Sequence, residues 1–293
     1  MKVVLVSDTH LTPKIPAFGD NWRAVRRWIE TAAPSLVVHL GDITAHGTED
    51  ARELVAAHSA FTGLSAPMRF VPGNHDIGDN PAGPGATNGH PIDLARLADY
   101  RRVFGADRWT CDVASWQLVG LNAQLFGTDT AEENDQFDWL EMEVGRRQGP
   151  LGLMLHKPLW RNGPRDTEAH IRYVPDAPRR RLLTCLAGRD LRFVVSGHVH
   201  QARSLRLDGV EHAWAPSTAY TIPDARQERI GEKVVGLLTL DLTEADHRFD
   251  LVIPDGVVQH SLADYPELYP ALARTASHAP AALGPIDPNP APA

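Results

Sequence analysis

The sequence predicts an α/β (α+β) fold, and three features of the 293-residue chain support this class. Five short apolar runs, rich in branched residues, are each closed by Gly, Pro or polar residues, which is typical of buried strands. Segments with apolar residues at helical spacing alternate with the first of these runs. Beyond residue 205, short strand-like runs follow one another and indicate an antiparallel part.

The elements follow from these patterns in chain order. The five buried strands are expected at residues 3–6, 36–40, 68–71, 151–155 and 193–195, with a further strand at 116–122. Antiparallel strands are expected at residues 205–207, 212–214, 234–242 and 249–253. Helices are expected at residues 22–31, 48–60, 94–104, 135–147 and 179–186. Thr48 is a candidate N-cap of the second helix.

Two irregular segments and the end of the chain differ from this pattern. Residues 77–91 are rich in Gly, Pro and Asn and directly follow a motif, so we expect a loop that overhangs a site. Residues 161–176 are predicted to form a second such loop. Residues 277–293 are rich in Ala and Pro and are expected to be disordered. The predicted organisation is a main domain at residues 1–255, a C-terminal extension at 256–276 and this tail.

Composition excludes some classes of function. The formal net charge of -8 argues against broad binding to nucleic acid or to an anionic membrane. It leaves an anionic substrate open, because bound divalent cations would reverse the local field. Cys111 and Cys185 are expected to be free thiols, and no apolar run reaches bilayer length, so a cytoplasmic location is expected. The sequence gives no indication of the oligomeric state.

Polar residues follow the first two strands at the point where each ends. Asp8 and His10 alternate along an extended segment, so both side chains can face one cation. Asp42 follows Gly41 directly after the second strand, and a carboxylate can bridge two metals. Taken alone, each motif is also typical of a turn or a helix cap.

The segment Gly73-Asn74-His75-Asp76 follows the third strand and is more specific. Asn74 offers a neutral carbonyl ligand, whereas His75 is free to serve as an acid. Asp76 is expected to orient the His75 imidazole through a hydrogen bond. The alternative is a polar turn after Pro72.

Histidines follow the last two buried strands. His156 ends the fourth strand, where a single histidine is more often structural. His198 and His200 form an HxH pair after the fifth strand, a common arrangement of metal ligands, and Gly197 leaves room for an ion. Five such motifs in sequence, each directly after a buried strand, predict a two-metal hydrolytic site at one edge of a sheet. The N/O ligand set suits Mn, Fe or Zn.

Three further residues are candidates for substrate contact. Lys157 follows His156 and is either a phosphate ligand or a solvent-exposed loop residue. His46 lies soon after Asp42, and His90 lies at the end of the glycine-rich segment. For both histidines a surface position is the alternative.

Together, the Asp8-x-His10, Gly41-Asp42, Gly73-Asn74-His75-Asp76, His156 and Gly197-His198-x-His200 motifs resemble those of the calcineurin-like metallophosphoesterase superfamily. The resemblance spans residues 3–242. It is strongest with the branch of cyclic-nucleotide and glycerophosphodiester phosphodiesterases, because Gly41-Asp42-Ile43-Thr44 is followed by Gly47. One departure is Lys157-Pro158-Leu159, where that branch often has His-Pro-Pro.

The resemblance implies a four-layer αββα sandwich of two mixed β-sheets flanked by helices, with a dimetal site at the strand ends, and makes residues 1–255 the catalytic domain. It implies that Asp8, His10, Asp42 and His200 hold one divalent or mixed-valence ion, and that Asp42, Asn74, His156 and His198 hold the other. His75 would be the catalytic histidine that binds no metal.

The function implied is hydrolysis of a small phosphodiester by a hydroxide held between the metals, with His75 and Asp76 as the catalytic pair. The nearest alternative is a phosphomonoesterase acting on a sugar, nucleotide or protein. A nuclease is disfavoured by the acidic composition. A non-catalytic scaffold of the same fold would be expected to lack ligands, and here every ligand position is present.

Overall fold

The computed structural model describes residues 1–81, 90–146 and 148–269. Most of the glycine-rich segment and the predicted disordered tail lie outside the described residues. The strands are β1 Lys2–Val6, β2 Leu36–His39, β3 Met68–Phe70, β4 Trp109–Val113, β5 Trp116–Gly120, β6 Pro150–Leu155, β7 Asp190–Ser196, β8 Arg203–Leu207, β9 Val210–Trp214, β10 Leu237–Leu242 and β11 His247–Val252. The α-helices are α1 Pro16–Ala32, α2 Arg52–Phe61, α3 Asn74–Ile77, α4 Leu94–Phe104, α5 Ala131–Gly145 and α6 Asp176–Cys185.

The strands form two mixed sheets. The first has the order β11-β10-β1-β2-β3, and the second has the order β4-β5-β6-β7-β9-β8. β1, β2 and β3 run parallel to one another, as do β5, β6, β7 and β9. The carboxyl ends of parallel strands meet at one edge of each sheet, which is where the motifs occur.

Helices cover the outer face of each sheet, and an apolar core lies between the sheets. Alternation along β1 explains this, because Val3 and Leu5 join a cluster with Trp116 and Phe193 of the second sheet, while Val4 faces the helices. α1, α2 and α4 pack on the first sheet, and α5 and α6 pack on the second. The expected four-layer αββα fold is therefore confirmed.

Several boundaries differ from the expected ones. α1 begins at Pro16 rather than at residue 22, because proline is well suited to the first helical turn and Phe18 is buried on the same face. α2 begins after Ala51, so the prediction of Thr48 as its N-cap was wrong. Thr130 caps α5 through a hydrogen bond from the Glu133 amide, so that helix starts earlier than expected. β4 and the short helix α3 were not predicted.

Two further predictions concern the cysteine thiols and membrane-spanning segments. Cys111 and Cys185 are both free, as expected. Within the described ranges, no helix combines the length and the apolar character needed to cross a bilayer.

Candidate metal centre

The predicted ligand side chains converge at the carboxyl edge of both sheets. Each lies just beyond a strand: Asp8 and His10 after β1, Asp42 after β2, Asn74 after β3, His156 after β6, and His198 and His200 after β7. Backbone hydrogen bonds hold these loops together. The Asp8 amide donates to Gly41 O at 3.0 Å, the His10 amide to Asp42 O at 3.1 Å, and the Gly197 amide to His156 O at 2.9 Å.

Most of these residues adopt an uncommon backbone conformation. Positive φ angles occur at nine non-glycine residues in the described part of the chain, and five of them are predicted ligands: Asp8, His10, Asp42, His198 and His200. The left-handed region disfavours residues with a Cβ, and such strain concentrates at functional sites. The sharp turns aim the side chains inward from the strand ends.

One cluster comprises Asp8, His10 and His200, whose ligand atoms lie within 4.8 Å of one another. Nε2 of His200 lies 3.2 Å from Oδ1 of Asp8 and 3.3 Å from Nε2 of His10. Asp8 Oδ1 is buried and accepts no hydrogen bond from the described residues. The backbone amide of His198 and the Ser7 hydroxyl hold the other carboxylate oxygen of Asp8.

A second cluster comprises Asp42, His156 and His198, with Asn74 beside it. Nε2 of His156 lies 3.1 Å from Nδ1 of His198, 3.2 Å from Oδ1 of Asn74 and 3.4 Å from Oδ2 of Asp42. The same Asp42 oxygen lies 3.9 Å from Nε2 of His10 in the first cluster. One carboxylate oxygen therefore faces both clusters.

Hydrogen bonds fix which imidazole nitrogen faces the centre. Nδ1 of His156 lies 2.8 Å from Leu40 O, and Nδ1 of His200 lies 2.8 Å from Tyr220 O. A carbonyl only accepts, so each Nδ1 carries the proton and each Nε2 directs a lone pair inward. The inward lone pairs meet carboxylate and amide oxygens, which also only accept. A positive charge is needed among them, and a divalent cation fits this donor set.

The pKa shifts of these residues also indicate that a positive charge is needed at the centre. Burial would lower the pKa of His156, but the adjacent Asp42 carboxylate outweighs it and raises that pKa to about 9, so a proton on Nε2 supplies the positive charge when no metal ion is bound. Burial would raise the pKa of Asp42, yet the surrounding histidines, His156 first, hold it well below its usual value. Burial also lowers the pKa of His10 and His198, which favours the neutral imidazoles that bind metals.

Glycines permit the close approach of the ligands. A Cβ on Gly73 would lie 2.2 Å from Oδ1 of Asp42, and one on Gly197 would lie 2.7 Å from Oδ2 of Asp8. Real Cβ atoms do not approach that closely, so a side chain at either position would displace a carboxylate. The glycine in each motif is thus part of the site.

His75 lies beside Asp42 and His10, with its ring partly exposed, and the ligand atoms of these three residues lie within 4.8 Å of one another. Its Nδ1 lies 3.1 Å from Ala45 O, so Nε2 faces the centre, 3.9 Å from Asp42 Oδ2. The prediction that Asp76 orients this ring was wrong, because the Asp76 carboxylate accepts from the amides of Gly73, Ile43 and Thr44 and from the Thr44 hydroxyl. Asp76 instead anchors the loop after Asp42. Burial, with the Asp42 charge, raises the pKa of Asp76 to about 6.

Lys157 is fully buried, and its ammonium pairs with the Asp79 carboxylate and the Asn80 side-chain oxygen. It therefore connects the end of β6 to the segment that follows the Asn74 motif. This placement favours a structural role over substrate contact.

His46 is buried, with Nδ1 3.7 Å from Oε1 of Glu49. His90 is exposed, and its Nε2 lies 3.8 Å from the same Glu49 oxygen.

Three residues near the centre were not singled out from the sequence. His39 is buried, accepts from the Gly41 amide at Nδ1, and has Nε2 2.9 Å from the Thr9 hydroxyl. These contacts stabilise the loops that carry Asp8 and Asp42. Burial lowers the pKa of His39 to about 3. The sequence feature that could have indicated this role is the position of His39 two residues before Gly41. The hydroxyl groups of Tyr220 and Tyr269 reach His10 from distant loops, which no local pattern indicates.

The chain is similar to known proteins. The profile of the calcineurin-like phosphoesterase family matches residues 1–202. A probable cyclic nucleotide phosphodiesterase of Synechococcus is 26% identical over 193 residues, which cover 65% of this chain and 65% of that protein. Another, from Rhodococcus erythropolis, is 27% identical over 235 residues, which cover 75% of this chain and 71% of its own length. The present chain thus spans just under two thirds of the Synechococcus relative.

A solved structure supports the fold independently. A dimetal phosphatase from Danio rerio superposes with a TM-score of 0.62 at 13% identity, over 86% of this chain and 95% of that one. At this identity the similarity concerns the fold alone.

Proposed function

This chain belongs to the calcineurin-like phosphoesterase family, whose members use a dinuclear metal site, and on that premise we propose that it hydrolyses small phosphodiesters. The family and its relatives make it a metal-dependent phosphoester hydrolase. The substrate class is our proposal, and the names of the two bacterial relatives point to cyclic nucleotides.

The observation that carries the proposal is the position of Asp42 Oδ2 between two clusters of inward-facing donors. We assign Asp8, His10, Asp42 and His200 to one ion, and Asp42, Asn74, His156 and His198 to the other. Ions of the Mn, Fe or Zn type suit this mixture of imidazole and oxygen donors. Such a pair supplies Lewis acidity and lowers the pKa of bound water.

His75 is the group we assign to the leaving oxygen. Ala45 O fixes its Nδ1 proton, so its Nε2 is the atom that exchanges a proton with substrate. Its ring is partly exposed, whereas His156 and His200 are buried. In its imidazolium form it would protonate the departing alkoxide, a contribution of about 10²–10⁴-fold in rate.

The pairing of Lys157 favours diesters over monoesters. A monoester dianion carries more negative charge than a diester and benefits from an additional cation near its phosphate. Lys157 follows a predicted ligand directly, yet its charge is balanced by Asp79 inside the fold. A diester, with one negative charge, has less need of that cation.

The test compares four substrates on protein loaded with Mn²⁺, Fe²⁺ or Zn²⁺: bis-nitrophenyl phosphate, nitrophenyl phosphate, a cyclic nucleotide and a glycerophosphodiester. We expect kcat/KM to be at least tenfold higher for the diesters and to vanish on chelation. Faster turnover of the monoester would support a phosphomonoesterase instead. Full metal content without turnover of any ester would support a scaffold.

A further inference from the structure

The chain returns to the metal centre after its last strand. Val258 exchanges two hydrogen bonds with the Asn21 side chain of α1, at 2.8 and 2.9 Å. The Thr221 amide donates to His260 O, and the Leu262 amide donates back to Thr221 O. These bonds attach the segment at residues 258–269 to α1 and to the loop that follows β9.

An apolar cluster holds the same segment against the first helix. Leu262 and Leu268 are each only 3% exposed and pack with Ile15, Phe18 and Tyr220. The Tyr265 ring lies 5.1 Å from that of Phe18, edge to face. The segment is therefore docked by buried side chains, and this cluster is separate from the three cores on the sheets.

Tyr269 reaches the metal centre at the end of this segment. Its hydroxyl oxygen lies 3.1 Å from Nδ1 of His10, and its ring centroid lies 4.9 Å from that of His75. The Tyr220 hydroxyl lies 3.5 Å away and donates to the same oxygen. His10 Nε2, on the other side of its ring, faces Asp8, Asp42 and His200, and the Tyr220 hydroxyl lies 3.3 Å from it.

We propose that Tyr269 is a positioning residue that accepts a hydrogen bond from Nδ1 of His10 and so directs His10 Nε2 at the first metal ion. This inference rests on the ligand role proposed above for His10. His156 and His200 use backbone carbonyls in the same way, but the corresponding partner of His10 is a side chain. That side chain lies well beyond the residues matched by the family profile.

The arrangement has a physical rationale. A metal-bound histidine is oriented by the acceptor on its other nitrogen, and loss of that acceptor typically costs about 10–100-fold in metal affinity or activity. The Tyr269 hydroxyl oxygen lies 3.1 Å from Nδ1 of His10, within hydrogen-bond distance, and its lone pairs can accept the imidazole N–H. The docked segment thereby links metal affinity to the folding of the C-terminal region.

The experiment compares Tyr269→Phe with Tyr265→Phe in the full chain. The first substitution removes the hydroxyl at His10, and the second removes a hydroxyl that contacts His260 on the same segment, 2.9 Å away. Zn²⁺ and Mn²⁺ affinities are measured by competition with a chelator, and the visible spectrum of the Co²⁺ form reports ligand geometry. Kinetics on a diester give kcat and KM separately.

We expect Tyr269→Phe to weaken one of the two metal equivalents by about 10–100-fold and to alter the Co²⁺ spectrum. Tyr265→Phe should match the wild type in both. Unchanged affinity and spectrum in Tyr269→Phe would overturn the inference. So would a rise in kcat/KM at unchanged affinity, because that result would mean that the segment obstructs the site.

Failure of the proposed function is distinguishable from failure of this inference. A wild-type protein that binds two ions but hydrolyses no ester refutes the function, while the affinity comparison still decides the role of Tyr269. A wild-type protein that binds neither ion refutes both.

Discussion

Oδ2 of Asp42 lies 3.4 Å from Nε2 of His156, inside the space enclosed by the ends of both sheets. Asp42 belongs to the first sheet and His156 to the second, so their contact joins the two halves of the sandwich. The other Asp42 oxygen accepts the His75 backbone amide at 2.8 Å. That bond fixes the carboxylate and leaves Oδ2 free to serve both clusters.

Asp42→Asn should abolish binding of both ions, whereas Asp8→Asn should weaken only one. The amide oxygen of the introduced asparagine would keep the bond from the His75 amide, and its NH₂ group, which is no ligand, would then face both clusters. Metal content per chain after gel filtration checks this. Asp20→Asn, at an exposed position of α1, is the control. Retention of two ions by Asp42→Asn would remove the bridging role.

His75→Ala should retain both metal ions and lose about 10²–10⁴-fold in kcat. The loss should grow as the pKa of the leaving alcohol rises, because a poor leaving group depends more on protonation. A series of aryl and alkyl phosphodiesters measures that slope. His58→Ala, at an exposed position of α2, is the matched control. Equal losses for all leaving groups would argue against proton donation by His75.

The strand ends were predictable because buried strands have a simple local signature. Val3, Val37 and Leu153 lie in runs of branched apolar residues, and the polar residue after each run marked where the strand ends. Parallel strands then place those residues at a common edge, so the convergence of Asp8, Asp42 and the histidines followed from the strand order. The resemblance to a known family supplied the two-sheet architecture.

Tertiary contacts explain what the sequence did not indicate. Asp76 turns away from His75 because four donors surround its carboxylate, three on Ile43 and Thr44 of the loop after β2 and one on Gly73 of its own turn. Lys157 is buried because Asp79 and Asn80 lie opposite it, which no local pattern encodes. Tyr269 contacts His10 although the two residues are 259 positions apart in the sequence. Such partners are defined only when the whole chain is packed.

Lys157→Met should destabilise the protein by about 3–5 kcal/mol, because it removes the buried ammonium that pairs with the Asp79 carboxylate. The double variant Lys157→Met, Asp79→Asn should be less destabilised than Lys157→Met alone, since it also removes the buried negative charge. Urea denaturation of both variants measures the free energy of unfolding. Lys14→Met, at an exposed position, should change that free energy by less than about 0.5 kcal/mol. A double variant as unstable as the single one would contradict the charge argument.

The free energy of unfolding should fall as the pH drops from about 6.5 to 4, and His212 should contribute to that fall. Burial against the Trp160 ring, 4.9 Å away between centroids, lowers the pKa of His212 to about 4. The ordinary pKa of histidine, 6.5, applies to the unfolded chain. At a pH between 6.5 and about 4, the unfolded chain therefore binds a proton at His212 that the folded chain does not, so acid favours unfolding. The contribution is about 2–3 kcal/mol at pH 4.

His212→Phe removes this titration and keeps a ring against Trp160. Urea unfolding of both proteins in the presence of a chelator, from pH 7.5 to 4, isolates the contribution of His212, because other titrating groups cancel in the difference. We expect the wild type to lose more stability than His212→Phe below pH 6.5, and the two curves to run parallel above it. Parallel curves over the whole range would mean that His212 is protonated in the folded state as readily as in the unfolded one.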